Sequence, residues 1–424
     1  MGSNLTETPP PVELDRTLYD LYGLDGGDPD EIAVMLSLVP PISPVSSALP
    51  ESKKYPLQSP GRPNLDKDLF ARICLGNAAQ NHGIAVGPMR LILFDIDPPE
   101  YDVINGLVES PPAPRTDAAR VFNCLVEEQR PKLSFVSDSA TFQAPAGVEI
   151  SPYPPQDFLD KHPTILSQES HYRLLSKRWL AFSGLPTPRT VVIDSDLSPE
   201  DVADDAKVEA ETQRILDAVR RHPFPFVIKF PQAVAGQGVF VARDAVGLST
   251  AEGAGRFADE IPRMIRSVRS DNAHLRVASL CLQDVVEGDT RNLSLFVTKG
   301  GRAEFLSCCE QFLDENGIWR SSIIDYARQA EFDAQYRPTL DKIAAYVHKR
   351  GFYGPMGGDI MTDAAGAQYI VDLNTRITGD VVMGPLQGHF YERRGLRYSY
   401  IISPLVVMGN RDRFEQTSRY SGRS

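Results

Sequence analysis

The segment 357–376 constrains the fold of this chain more than any other part of the sequence. Two strand-like runs, Gly-Gly-Asp-Ile-Met-Thr and Gln-Tyr-Ile-Val-Asp-Leu-Asn, flank a turn-rich centre, and this pattern predicts a β-hairpin. A hairpin centred on residues 365–366 places Asp359 directly opposite Asp372. Cross-strand partners of this kind have Cβ atoms about 5 Å apart. The sequence therefore predicts two carboxylates in close contact.

The two faces of this hairpin differ in polarity. Side chains alternate along a strand, so Asp372, Asn374 and Arg376 project to the same side as Asp359. The apolar residues expected to point to the other side, into a core, are Ile360, Val371 and Leu373. Adjacent acids repel unless a cation lies between them, and Mg²⁺ prefers hard oxygen ligands. The hairpin indicates a magnesium site; a solvated hairpin with a polar outer face is the alternative.

Composition narrows the class of protein. A chain of 424 residues with 42% hydrophobic and 24% charged residues is typical of a folded protein with roughly two to four domains. Its net charge of −12 argues against nucleic acid or anionic lipid as a partner. Five scattered cysteines without CxxC spacing favour reduced thiols. Long apolar runs and a signal peptide are absent from the sequence, so we expect a cytoplasmic protein with no membrane partner.

The amino-acid composition of the chain changes near residue 66. Residues 1–65 are rich in Pro, Ser and acidic residues, which predicts a mostly irregular arm with one short helix over 18–24. The strand-like runs that follow are 72–77, 91–95 and 133–137. A helix is predicted over 117–129, between the last two strands. This order indicates a small α/β domain with a parallel sheet over 66–165.

Helices and strands are also predicted after residue 166. One helix covers 167–182 and ends at Gly-Leu-Pro-Thr-Pro, residues 184–188. The other predicted helices are 199–221 and 340–350. The predicted strands before the hairpin are 190–193, 226–230, 280–286 and 292–298.

A lysine and a loop of small residues follow the strand over 226–230. Lys229 ends an apolar run, and Gly236 and Gly238 lie in the loop after it. Backbone N–H groups in such a loop can bind phosphates, because small residues permit close approach, and lysine adds a point charge. The segment is not a Walker loop, since GxxxxGK[ST] is missing. A plain β-hairpin with a glycine-rich turn is the alternative.

An acidic turn follows the strand over 280–286. Its sequence is Gln-Asp-Val-Val-Glu-Gly-Asp, from Gln283 to Asp289. Backbone groups at the end of a strand can hold a nucleobase, and a carboxylate can hold a ribose. On this segment alone, a solvated acidic turn is the better interpretation.

These segments, in this order, resemble the ATP-grasp superfamily, and most closely its carboxylate–amine, peptide-forming ligases. In that family a lysine precedes a helix that leads to a Gly-x-Pro-x-Pro stop, to which Lys177 and residues 184–188 are similar. The family's second lysine and glycine-rich loop resemble Lys229 with Gly236 and Gly238. The resemblance covers roughly residues 70–400.

The metal signature of that family also has a counterpart here. An acid stands about a dozen residues before an acid-x-Asn-x-Arg motif in the family, and Asp359 with Asp372-Leu-Asn-Thr-Arg376 resembles it. The family more often has Glu at the position of Asp372 and Pro at the position of Thr375. A shorter carboxylate is expected to shift the metal slightly and not to abolish its binding.

The resemblance implies a fold class and a domain order. The fold class is α/β with an α+β lid, an ATP-grasp fold preceded by a small parallel-sheet domain. The implied ranges are an arm over 1–65, a pre-ATP-grasp domain over 66–165, a lid subdomain with the glycine-rich loop over 166–275, a metal-binding subdomain over 276–410 and a polar tail over 411–424.

The resemblance also implies which residues bind ATP, Mg²⁺ and the reacting groups. Those implied for ATP are Lys177, Lys229, Gly236, Gly238, Gln283, Asp284 and Val286, with either Glu287 or Asp289 on the ribose. Those implied for Mg²⁺, with Mn²⁺ as an alternative ion, are Asp359, Asp372 and Asn374. Arg376, and after it Arg291, are implied for the oxyanion of the reaction.

The activity implied is an ATP-dependent carboxylate–amine ligase that forms an amide or peptide bond through an acyl phosphate. Its partners would be a small-molecule carboxylic acid and an amine, expected to be an amino acid or a peptide, and relatives are commonly homodimers. An ATP-grasp phosphotransferase acting on a small-molecule hydroxyl is the alternative. A nucleotide-binding regulator without catalysis is disfavoured, because both carboxylates and both lysines are present.

Overall fold

The computed structural model of the protein describes residues 10–37, 51–58, 81–94, 107–109, 121–234, 236, 238–249, 254–313 and 319–402. Three β-sheets, of five, four and six strands, organise this part of the chain. The strand predicted over 72–77 and the tail over 411–424 lie outside the described residues. Among the described residues no helix is long and apolar enough to cross a bilayer.

The five-stranded sheet comes first along the chain. Its strands are β1 (Ile32–Met35), β2 (Arg90–Phe94), β3 (Leu107–Glu109), β4 (Lys132–Val136) and β5 (Glu149–Pro152). They lie in the order β3-β4-β2-β1-β5. All neighbours are parallel except β3, which pairs antiparallel with β4 at the edge. The prediction of a parallel sheet is confirmed.

Strand β1 corrects the prediction that residues 1–65 are mostly irregular. Its four residues are all buried and it pairs with β2 and β5 inside the sheet. Helix α1 (Leu18–Tyr22) precedes it, where a short helix was expected. A run of only four apolar residues shows no alternation, so it carries little strand signal in a Pro-rich context. The domain boundary near residue 66 stays a prediction.

The prediction of a helix over 117–129 is wrong for the residues that the structure describes, 121–129. From residue 121 the chain makes a short helical turn, and Leu125 then forms a parallel bridge with Val12. Only Glu127–Gln129 is again helical, as one 3₁₀ turn. Pairing with the N-terminal segment prevents a continuous helix, because the backbone groups at residues 124 and 126 bond to Val12.

The four-stranded sheet is antiparallel throughout. It contains β6 (Thr190–Asp194), β7 (Phe226–Lys229), β8 (Val239–Ala242) and β9 (Ser279–Asp284), in the order β6-β9-β7-β8. Phe226 and Ile228 face a core that includes Ile215 of helix α4 (Asp205–Arg220). Because side chains alternate, Lys229 points to the opposite face.

The helix predicted over 167–182 is divided in two. Helix α2 covers Gln168–Leu174 and α3 covers Lys177–Ala181. Ser176 between them has an extended backbone, with φ −86° and ψ 124°. Lys177 therefore begins α3, and its backbone N–H donates to the carbonyl of Pro231 at 3.1 Å. The break fixes Lys177 beside the loop that follows β7.

The six-stranded sheet carries the predicted hairpin. Its strands are β10 (Gly288–Val297), β11 (Ala303–Leu313), β12 (Trp319–Asp325), β13 (Gly354–Asp363), β14 (Gln368–Asn374) and β15 (Tyr398–Ile402), in the order β14-β13-β10-β11-β12-β15. Helix α7 (Gln329–His348) packs on one face and starts well before the predicted residue 340. Pro338 lies inside this helix.

The remaining regular elements are short. Two further helices lie between β8 and β9 along the chain, α5 (Ala245–Ser249) and α6 (Ile261–Arg266). The 3₁₀ turns besides Glu127–Gln129 are Leu24–Gly26, Pro29–Glu31, Gly83–Ala85, Asp157–Lys161, Asp201–Ala203, Ala254–Glu260, Ala273–Leu275, Tyr326–Arg328 and Gly384–Leu386; Gly388–Glu392 is a π-helical turn.

The register of the hairpin confirms one prediction and corrects another. Asp359 pairs with Asp372, as predicted. Nearer the turn the register shifts by one residue, so that Ile360 pairs with Ile370 and Val371 forms a β-bulge. Ile370, fully buried, takes the core position expected for Val371, which is only partly buried.

Replacing Ile343 by alanine should test how far α7 supports the hairpin. Ile343 is fully buried, and its Cδ1 lies 3.6 Å from where a Cβ on Gly358, next to Asp359, would stand. We expect Ile343→Ala to lower the free energy of unfolding by about 2–4 kcal/mol, measured with urea. Lys342→Ala, one residue earlier and exposed, is the control. An equal loss in both variants would contradict this packing.

Candidate nucleotide and metal site

Asp359 and Asp372 are the centre of the site, on adjacent strands of the six-stranded sheet. Asp359 accepts hydrogen bonds at its Oδ1 from Asn292 Nδ2 at 2.9 Å and from Gln311 Nε2 at 3.1 Å. Asp372 forms an ion pair with Lys177, whose Nζ lies 3.0 Å from its Oδ2. Removal from water, and then repulsion by Asp372, raise the pKa of Asp359 above its usual range.

Asn292 and Gln311 were not predicted as site residues. Asn292 is the ladder partner of Asp359 on β10, and Gln311 reaches Asp359 from β11. The Oδ1 atom of Asn292 is buried and has no hydrogen-bond partner among the described residues. No sequence signal reveals these two residues, because they lie beside the hairpin only through sheet pairing.

The donor set around Asp359 fits a hard divalent cation. Asp359 and Asp372 are ladder partners, the pKa of Asp359 is raised, and the buried amide oxygen of Asn292 has no hydrogen-bond partner among the described residues. Within the described residues, no cluster of three acidic, histidine or cysteine side chains is found. A cation here would therefore depend on Asp359, Asp372 and amide oxygens, which are ligands that Mg²⁺ accepts.

Asn374 and Arg376 lie at the end of β14, as predicted from the sequence. Arg376 donates from Nη2 to Asn374 Oδ1 at 2.9 Å and from Nη1 to the hydroxyl of Tyr153 at 2.8 Å. Its guanidinium also lies over the Tyr153 ring, 4.7 Å from the centroid. Tyr153 follows β5, so Arg376 connects the hairpin to the parallel sheet.

A buried histidine fixes the segment between Asn374 and Arg376. His171 of α2 is within 2.7 Å of the Thr375 carbonyl oxygen through its Nε2. Burial lowers the pKa of His171 to about 4, so the ring is neutral near pH 7 and Nε2–H donates this bond. Neither His171 nor Tyr153 was expected at the site from the sequence.

The two predicted lysines both reach the hairpin. Lys177 Nζ contacts Asp372 and also donates to the carbonyl of Ala233 at 3.0 Å. Lys229 Nζ donates to the carbonyl of Val371 at 3.0 Å. A bulge leaves one residue of the ladder unpaired, and this makes the Val371 carbonyl available. Burial lowers the pKa of Lys229 to about 8, although Asp372 opposes the shift.

The loop after β7 holds the two glycines of the predicted phosphate-binding segment. Gly236 has φ +75°, a conformation that favours glycine. Gly238 packs so closely that a Cβ there would lie 2.4 Å from the Cβ of Ala233. Ala235 and Gln237 lie outside the described residues. The described part of the loop therefore lies beside the carbonyl that accepts from Lys177.

The predicted nucleobase and ribose residues lie at the end of β9 and the start of β10. Gln283 pairs with Val227 while Lys229 pairs with Cys281, so Gln283 and Lys229 share one face of the four-stranded sheet. Gln283 is buried and donates to Thr190 Oγ1 at 3.1 Å. The other predicted residues range from half-buried to exposed: Val286, Asp284, Glu287 and Asp289.

Arg291 does not join the other predicted residues. It pairs with Ile360, while the neighbouring Asn292 pairs with Asp359, so Arg291 projects to the opposite face of the sheet. There its Nη1 lies 3.0 Å from Glu310 Oε2 and its guanidinium lies over Phe332 of α7. The predicted role of Arg291 at the oxyanion is not supported by this placement.

The family model of the ATP-grasp domain matches residues 209–380. This range includes Lys229, the glycine loop, Gln283 and the complete hairpin with Asp359 and Asp372. Over residues 209–380 the chain is therefore similar to an ATP-grasp domain. The predicted fold class is confirmed: an ATP-grasp fold preceded by a parallel-sheet domain. No curated protein matches the chain.

Several solved structures show a remote likeness to the chain. The ADP complex of an N5-carboxyaminoimidazole ribonucleotide synthetase has 11% identity and a TM-score of 0.48, covering 98% of this chain and 88% of that one. The L-amino acid ligase from Bacillus licheniformis has 12% identity and a TM-score of 0.40, covering 83% of this chain and 68% of that one. A D-cycloserine synthetase has 16% identity and a TM-score of 0.38, covering 62% of this chain and 89% of that one.

Asp359→Asn should change the pH dependence of stability. Because folding raises the pKa of Asp359, its contribution is greatest at low pH and is lost as the pH rises through the folded-state value. Asparagine does not titrate, so the variant does not lose stability through this position as the pH rises. The variant's melting temperature relative to wild type should therefore rise between pH 5 and pH 8 by about 2–4 °C without metal. Asp341→Asn, on the exposed side of α7, is the control. If the difference in melting temperature between Asp359→Asn and wild type is the same at pH 5 and pH 8, the raised pKa of Asp359 is contradicted.

Proposed function

We propose that the protein is an ATP-dependent ligase that joins a carboxylic acid to an amine through an acyl phosphate. One observation carries the proposal: Lys177 and Lys229, from separate elements, converge on β14 beside the paired carboxylates of Asp359 and Asp372. Two cations and two anions around one partly buried position suit a polyphosphate and its divalent cation. A plain structural hairpin needs none of these groups.

ATP would lie between the four-stranded sheet and the hairpin. Lys177, Lys229 and the loop with Gly236 and Gly238 would bind the phosphates. Gln283, Asp284 and Val286 would lie near the base, with Glu287 or Asp289 on the ribose. Both lysines already point to this region and are buried, which supports binding without large rearrangement of their side chains.

Mg²⁺, or Mn²⁺, would be held by Asp359 and Asp372, with Asn374 or Asn292 contributing an amide oxygen. When bound, the ion would neutralise the charge of the terminal phosphates. The Lys177–Asp372 ion pair would then separate: Lys177 would contact a phosphate, and Asp372 would contact the metal. Asn374 already hydrogen-bonds to Arg376, whereas the Oδ1 of Asn292 has no partner among the described residues, which favours Asn292.

The reaction would take place in two steps. A carboxylate oxygen of the acid attacks the γ-phosphorus of ATP, which gives an acyl phosphate and ADP. The nitrogen of the amine then attacks the acyl carbon, phosphate leaves, and one proton is released. Arg376, held by Tyr153 and Asn374, is our candidate for stabilising the oxyanion of the second step. The substrates would be small molecules, an amino acid or a peptide among them.

Hydroxylamine separates this ligase from an ATP-grasp phosphotransferase. In a panel of carboxylic acids with ATP and Mg²⁺, we expect hydroxamate and free phosphate to form with an accepted acid, because hydroxylamine intercepts the acyl phosphate. A phosphotransferase would yield a phosphorylated product without free phosphate. The proposal is contradicted if a broad panel of amino acids and short peptides gives no hydroxamate and no free phosphate.

Asp372→Asn should abolish most of the activity and leave the fold intact. The change removes one of the two charges that would hold the metal, so we expect turnover to fall by about a hundredfold or more. Circular dichroism checks the fold, and Asp341→Asn on α7 is the control acid. Turnover close to that of wild type in Asp372→Asn would reject the metal assignment.

A further inference from the structure

A second buried acid lies near the site and has no role in the function proposed above. Asp380 follows Arg376 by four positions and is 3% exposed. Its Oδ1 atom is buried and has no hydrogen-bond partner among the described residues. A buried carboxylate oxygen without a hydrogen-bond partner lowers the stability of the fold, so its presence suggests that it binds a ligand.

A hydrogen-bond chain orients this carboxyl group. Trp319 Nε1 donates to Ser322 Oγ at 2.9 Å, and the Ser322 side chain in turn hydrogen-bonds to Asp380. Indole nitrogen is only a donor, so the hydroxyl hydrogen of Ser322 is left for Asp380. The backbone is also held, because the Asp380 carbonyl accepts from the Met383 N–H at 3.0 Å. The carboxyl is therefore fixed, and its Oδ1 has no hydrogen-bond partner among the described residues.

Asp380 adjoins the face of the sheet that carries Asp359. Ser322 on β12 is the ladder partner of Gln311 on β11, and Gln311 donates to Asp359. Hydrogen bonds and strand pairing thus connect the two acids along one sheet face. The negative charge of Asp359 also acts on Asp380, although burial is the larger cause that raises the pKa of Asp380 to about 7.

No side-chain cation forms an ion pair with Asp380 among the described residues, since Lys177 and Lys229 contact β14 instead. Its side chain hydrogen-bonds to the hydroxyl of Ser322, which accepts from the indole of Trp319, and its carbonyl oxygen accepts from the hydroxyl of Ser307. A buried, oriented carboxyl that lies near the negative charge of Asp359 and has no cationic partner among the described residues is complementary to a cationic nitrogen.

We propose that Asp380 binds a cationic nitrogen of the substrate. This inference rests on the ligase function proposed above and adds to it a chemical class. The nitrogen is either an ammonium group on the carboxylic acid that is activated, or the ammonium form of the amine that is joined to it. Half-buried Trp319 lies beside this segment, with its Cη2 3.8 Å from where a Cβ on Gly379 would stand.

The test compares the wild-type chain with Asp380→Asn in two assays. The first uses hydroxylamine, which is largely uncharged at neutral pH, and varies the carboxylic acid over the common amino acids. The second uses the best acid and varies the amine over ammonium, methylamine, ethanolamine and the common amino acids. Glu211→Gln, a buried acid in the lid whose carboxylate is paired with Arg214, is the control with unchanged constants.

Two results would support the inference. A rise of about tenfold to a hundredfold in KM for the acid, already with hydroxylamine, places the cationic nitrogen on the acid. A similar rise in KM for the amine alone, with hydroxamate formation unchanged, places it on the amine. Ser322→Ala, which removes only the orienting hydroxyl, should raise the same KM by less, and it decides the question if Asp380→Asn does not fold.

Other results would overturn it. Asp380 is merely structural if the variant loses stability or turnover while both KM values stay within about twofold of wild type. Absence of hydroxamate and phosphate in the wild type itself contradicts the ligase function and removes the basis of the inference with it.

Discussion

Repulsion between Asp359 and Asp372 is the constraint to which the rest of the site responds. Backbone hydrogen bonds of the ladder hold these residues opposite each other, so the two charges cannot separate without breaking the sheet. Lys177 and two amide donors offset part of the repulsion. Helix α7 and the buried face of the sheet supply the rigidity that keeps this arrangement in place.

The lysines connect the two antiparallel sheets through this constraint. Lys177 is placed by the break between α2 and α3, and Lys229 by the end of β7, yet both reach β14. Arg376 makes a third connection, to Tyr153 after the parallel sheet. All three parts of the fold therefore meet at one strand, where a nucleotide and its substrates can be held together in the proposed reaction.

Local sequence patterns were sufficient for the hairpin and for its facing acids, because a turn and two short strands determine their own pairing. They were not sufficient for Val371, where a bulge shifts the register, or for Arg291, whose face depends on its pairing with β13. Strand β1 was missed for a related reason: a four-residue apolar run becomes a strand only when β2 and β5 lie on either side of it.

The sequence by itself determined the charged groups, their order along the chain and the elements that carry them: Lys177, Lys229, Asp359, Asp372 and Arg376. Only the tertiary structure decided which other groups surround them, such as Asn292, Gln311, Tyr153 and Asp380. The physical reason is range. Turns, alternation and strand ends are set by neighbours in sequence, whereas burial, an unpaired oxygen and a shifted pKa arise from residues that meet only after the sheets have packed.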